Sequence, residues 1–222
     1  SPSGFFVRRH GLGQELLMSR THLRRPLAKW ALLVLSLIPF VYLCVGVYTE
    51  SLGPNPAETL IRDSGDWTLR FLCITLLITP LRVISQWPEF MLFRRSLGLL
   101  TFFYACLHAL CYSLFDMSWE WQEIAEDIVK RPFIAVGVAG FVLMSMLAAT
   151  SFNAAVKAMG VVRWRQLHRA VYGIAVLAIL HFFWMRAGKR NFDEVWLYAG
   201  ILGALLAWRV YHFTKRSPLK VS

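Results

Sequence analysis

Six histidines, His10, His22, His108, His168, His181 and His212, are the residues of this 222-residue chain best suited to chemistry. Three sit in or at long apolar stretches. His108 is central to the run Tyr104–Ala105–Cys106–Leu107–His108–Ala109–Leu110–Cys111–Tyr112, His168 opens another run, and His181 lies deep in that second run. An ionisable side chain at such depth is costly and normally faces a partner inside a bundle. For one such histidine the plain expectation is a neutral ring bonded to a neighbouring helix. Two on different helices at one depth point to a shared metal. With the helices entered at Ser96 and Gln166 and a rise of 1.5 Å per residue, His108 lies about 18 Å in, His181 about 22 Å in and His168 about 3 Å in.

Two imidazoles from facing helices suit the axial positions of a haem iron. Zinc or copper would want further ligands at that depth, and the sequence offers none. His168 and His181 are 13 residues apart, which leaves them about 140° apart around an ideal helix. They share a face only if the helix is irregular, with Gly173 the expected place. On the inner side stand Arg94, Arg95, Trp164, Arg165, Gln166 and His168. Positive charge beside a flat indole suits a flavin phosphate, haem propionates or a quinone ring, while His168 alone leaves the inner side an incomplete metal site. Basic loop charge with an interfacial tryptophan accounts for the same cluster without any ligand. No residue is assigned as a catalytic acid, base or nucleophile.

The elements that must position these groups follow from composition. The chain is 57% hydrophobic and 17% charged, yet carries a formal +11. That excludes a disordered chain, a disulfide scaffold and an ordinary soluble enzyme. The charges fall between apolar runs rather than on one face, which argues against nucleic acid as a partner. Six runs are each near the ~20 residues that cross a bilayer as helix: 30–48, 67–84, 97–115, 133–151, 168–185 and 195–213. The expected fold is therefore all-α, an integral membrane six-helix bundle over 30–213. A segment 1–29 precedes it, of which 1–17 is left out of the fold reasoning, and a tail 214–222 follows. With the N-terminus inside, inner segments hold 16 basic residues and two acids, and outer loops six basic residues and 11 acids. Both termini are thus expected in the cytoplasm. The outer stretch 116–131 alternates Trp119, Trp121, Ile124 and Val129 with Glu120, Glu123, Glu126 and Asp127, as a surface helix does. Its acidic face is either simple solvation or a docking patch. Cys44, Cys73, Cys106 and Cys111 lack metal-site spacing and are expected to pack as small apolar groups.

Several short motifs, taken in order, resemble the MsrQ (YedZ) family of the ferric-reductase-like transmembrane group. They are Leu76–Leu77–Ile78–Thr79–Pro80–Leu81, Arg94–Arg95–x–Leu97–Gly98–Leu99 leading to Leu107–His108 and Tyr112, Arg131–Pro132, Thr150–Ser151, Trp164–x–Gln166–Leu167–His168 leading to Val171–Tyr172, and His181 with Trp184. The resemblance implies a ferric-reductase-like fold in a bacterial inner membrane, binding haem b and FMN. It implies a donor in the quinone pool or a cytosolic flavin reductase. The acceptor would be a periplasmic MsrP-like molybdopterin subunit that reduces methionine sulfoxide in oxidised proteins. By the motif match His108 and His181 carry over as haem ligands, with His168 as an alternative or second-site ligand. Larger relatives use two histidines on each of two helices, whereas the third run here has one, which leaves the inner position to a flavin or quinone. The competing expectations are a stand-alone ferric or cupric reductase, and a haem-free transporter or channel with a histidine relay.

Overall fold

The computed structural model describes residues 5–187 and 192–216, with side chains over 26–187 and 192–215. The basic residues Arg8, Arg9, Arg20, Arg24, Arg25, Lys189, Arg190, Arg216 and Lys220, together with His10 and His22, lie outside the described side chains. All described elements are helical: α1 (Phe5–Tyr48), α2 (Pro56–Ser85), α3 (Met91–Cys111), α4 (Trp121–Lys130), α5 (Pro132–Ala149), α6 (Asn153–Met159), α7 (Val161–His168), α8 (Ala170–Ala187) and α9 (Asp193–Arg216). The chain divides into two compact units, 1–44 and 45–222. Every candidate site residue belongs to the second.

Five stretches are long and apolar enough to cross a membrane: Pro26–Tyr48, Pro56–Ser85, Pro88–Asp116, Pro132–Ala149 and Val161–Ala187. α5 makes the physical case most plainly, because only 11% of its apolar window is buried inside the protein. Val138, Val142 and Met146 point outward. Such a surface needs lipid, where only helices satisfy their own backbone. α9 is 24 residues long but begins at Asp193 and Glu194 and carries Arg209 within it, so it is not among the five.

The helices differ from the apolar runs in instructive ways. α2 begins eleven residues before its run, at Pro56. Asn55 caps it by accepting from the Glu58 N–H at 3.2 Å, and proline suits the first turn. Hydropathy reads where lipid is, not where the helix starts. After Cys111 the third helix loosens into a π-helical turn over Tyr112–Asp116. The helix expected within 116–131 forms over Trp121–Lys130, with the Tyr112 hydroxyl donating to Asp127 Oδ2 at 2.7 Å and Arg131 Nε 2.9 Å from Asp127 Oδ1. The run read as 168–185 is broken at its start: His168 ends α7, Arg169 forms a turn, and α8 starts at Ala170. The irregularity expected at Gly173 lies at Arg169.

α2 packs along α3 and α5 along α8, and the pairs are joined through α3–α5, α2–α9 and α8–α9. The core is shared by α2, α8 and α9 through Leu69, Leu72, Leu76, Ile174, Phe182 and Leu202. Near one end Arg186, only 3% exposed, is ion-paired with Glu194, and Arg70 Nε donates to the Tyr198 hydroxyl at 3.1 Å. Glu194→Ala is expected to cost about 2 kcal/mol, since it leaves a buried guanidinium with less compensation. The unfolding midpoint in detergent measures this, and Arg186→Met on top should recover most of the loss.

Candidate functional site

His108 projects from α3 one turn beyond Tyr104, which is fully buried and stacked on Phe71 with ring centres 5.1 Å apart. Behind His108 lies α2. Its Nδ1 is 2.8 Å from the Ile61 carbonyl oxygen. His181 projects from α8 and backs onto α5, with Nδ1 2.6 Å from the Phe133 carbonyl oxygen. A carbonyl can only accept, so in both rings Nδ1 carries the proton and Nε2 keeps its lone pair. The two ring centres are 6.2 Å apart and the ring planes stand at 84°. α3 and α8 are not themselves a closely packed pair, so the imidazoles meet across a seam between the two helix pairs.

His168 is elsewhere and otherwise engaged. Its ring stacks on Trp164 at 4.1 Å, and its Nε2 is 3.1 Å from Thr150 Oγ1. The Thr150 hydroxyl is itself 2.8 Å from the Met146 carbonyl, to which it donates, so it accepts from His168. Trp164 Nε1 donates to the Thr150 carbonyl at 2.8 Å. Of the other residues expected at this end, Arg95 donates to Asn153 Oδ1 at 3.0 Å, and Arg165 and Gln166 are exposed. Arg94 is within electrostatic reach of Arg209, Tyr172 and His168.

In the sequence Arg209 is one of the 16 inner basic residues and nothing more, yet it is central here. Its Nη2 donates to the Leu76 carbonyl at 2.6 Å and its Nη1 to the Tyr172 hydroxyl at 2.8 Å. The cause is in the chain itself. Proline at 80 has no N–H, so the carbonyl four residues earlier, that of Leu76, loses its helical donor. In lipid a freed carbonyl must find another partner. Arg209 supplies it from α9. The signal was a lone charge inside the last apolar run.

Gly65 and Gly137 were also missed. A Cβ on Gly65 would lie 3.0 Å from His108 Nδ1, and one on Gly137 would lie 2.8 Å from His181 Nδ1. Among the described residues, no three His, Cys, Asp or Glu side chains gather as a metal site. The protein's own contribution is two imidazoles.

Fold and site together define a class: a multi-pass helical membrane protein that brings two imidazole rings, each bonded through Nδ1 to a helix carbonyl, side by side between two helix pairs. The family described as "Ferric reductase like transmembrane component" matches residues 64–179, a stretch that holds His108 and ends two residues before His181. The chain is 54% identical over 200 residues to a protein of Polaromonas naphthalenivorans, covering 90% of this chain and 91% of that one. It is 49% identical over 185 residues to one of Herminiimonas arsenicoxydans (83% and 85%) and 41% identical over 193 residues to one of Rhodospirillum rubrum (87% and 92%). Each of these is named protein-methionine-sulfoxide reductase heme-binding subunit MsrQ. The chain belongs to the MsrQ family, within the ferric-reductase-like transmembrane group.

Proposed function

We propose that this protein is a transmembrane electron-transfer cytochrome b serving a methionine sulfoxide reductase, in which His108 and His181 would hold one haem. The observation that carries the reading is the facing pair of Nδ1-bonded imidazoles. Metal–imidazole bonds are about 2 Å long, so two rings on opposite sides of one ion stand roughly 6 Å apart between centres. The separation here is 6.2 Å. The residues present therefore fit the group. Haem b, when bound, supplies a one-electron iron couple. His108 and His181 would hold the iron, and their carbonyl partners keep Nδ1 protonated, the tautomer that leaves Nε2 able to ligate. No side chain breaks a substrate bond, so the catalytic chemistry belongs to a partner.

The relatives' names supply the partner class, a methionine sulfoxide reductase. We place that partner, an MsrP-like molybdopterin subunit, at the outer face. The orientation rests on loop charge, with α9 as a sixth span and both termini inside. FMN belongs to the inner end, where Arg94 and Arg209 stand together and none of the ion pairs among the described residues includes them. An open recess of ≈ 450 Å³ lined by Trp87, Glu89, Phe90 and Phe93 suits a planar donor such as a quinol. A cytosolic flavin reductase is the other donor.

Pigment analysis of the purified protein tests the reading. Haem extracted in proportion to polypeptide, with a Soret band that shifts on dithionite reduction, supports it. Colourless protein from haem-replete cells ends it in favour of a histidine-relay transporter. Acceptor preference separates a methionine sulfoxide reductase subunit from a ferric or cupric reductase. Arg94→Ala is expected to lower bound flavin while haem per polypeptide stays unchanged. Equal flavin in variant and parent returns Arg94 to plain loop charge.

A further inference from the structure

The two histidines are held by the same device used twice. In α2 the carbonyl of Ile61 receives His108, and Gly65 stands four residues later. In α5 the carbonyl of Phe133 receives His181, and Gly137 stands four residues later. Within a helix, the carbonyl of residue i already accepts the N–H of residue i+4. A carbonyl oxygen has a second lone pair, but the side chain at i+4 stands over it. Glycine at i+4 leaves that lone pair open to an outside donor. The distances make the point: an added Cβ would lie 3.0 Å from Nδ1 of His108 and 2.8 Å from Nδ1 of His181. Neither neighbour is the far end of a flexible chain. Each is a ring already fixed by a hydrogen bond.

We propose that Gly65 and Gly137 are positioning residues which, by uncovering the Ile61 and Phe133 carbonyls, lock the two imidazole planes close to perpendicular and so set the electronic state of the metal between them. This rests on the haem reading above and goes beyond it, because ligation alone requires two nitrogens and no particular ring angle. Each ring plane is fixed by its own helix pair: α2 against α3 for His108 and α5 against α8 for His181. The 84° between the planes is thus a property of the two pairs. The orientation of axial imidazoles, and the hydrogen bond on the nitrogen remote from the metal, both tune the iron's ligand field.

Electron paramagnetic resonance of the oxidised, haem-loaded protein reads the angle directly. Perpendicular imidazoles give a single low-field feature, while near-parallel rings give an ordinary rhombic set. The expected spectrum of the unsubstituted protein is the low-field type. Gly65→Ala and Gly137→Ala should each weaken haem retention about tenfold, the usual scale for disturbing a ligand's supporting contact. In the haem that remains, the signal should move toward the rhombic form. Gly140→Ala is the control. It lies one turn along the same helix, its added Cβ would meet only Leu177 Cβ at 3.9 Å, and it should retain parental haem and spectrum.

A rhombic spectrum from haem-loaded, unsubstituted protein overturns the proposal whatever the variants do, including when they fail to accumulate. Parental haem content and an unmoved low-field feature in both alanine variants overturn it as well. The two readings fail separately: absence of haem in the unsubstituted protein rejects the cytochrome, whereas bound haem with parallel rings rejects only the clamp.

Discussion

Purified His108→Ala protein is expected to carry no low-spin haem, and His181→Ala likewise. Each variant removes one of the two nitrogens proposed to hold the iron, and no third His, Cys, Asp or Glu joins the pair among the described residues. Retained haem should fall by more than about tenfold, beyond the effect of disturbing a supporting contact. Any remaining pigment should show the spectrum of an iron with an open position. The fold should survive, because the only hydrogen bond lost is that of Nδ1 to a carbonyl already bonded within its helix. Circular dichroism of the two variants should match the parent. Full haem and an unshifted Soret band in both would remove the ligand pair.

The second large effect concerns stability. Arg209→Met should cost about 3 kcal/mol, because it strips the donor from a buried backbone carbonyl and also removes the Tyr172 contact. The cause assigned here makes the cost conditional on proline at 80. In the Pro80→Ala background the backbone N–H of residue 80 takes up the Leu76 carbonyl, so Arg209→Met should then cost roughly half as much. Unfolding midpoints of the four proteins in one detergent complete the cycle. Equal costs in both backgrounds would detach Arg209 from the proline.

Different parts of this molecule were legible in the sequence to different degrees. Lipid-facing helices were readable because a bilayer demands a long apolar run whatever the neighbours are. The His108–His181 pair was readable because depth follows from helical rise alone. The start of α2 was not, because its first turns are polar and stabilised by capping rather than by burial. Gly65 and Gly137 could not be told from other glycines, since small residues are common where membrane helices approach. Their meaning comes from a histidine more than forty residues away in each case. Arg209 was visible as a charge but not as a donor, since that required seeing it beside the carbonyl that Pro80 sets free. His168 was readable as a membrane-end histidine, while its engagement by Thr150 and Trp164 depends on the turn at Arg169.

The doubling of the carbonyl–glycine clamp bears on biogenesis. Each ring is furnished with its proton, its plane and its backing entirely from within one antiparallel couple of helices. Neither couple needs the other to prepare its nitrogen. The proposed haem site thus consists of two half-sockets, each complete within its own couple of helices.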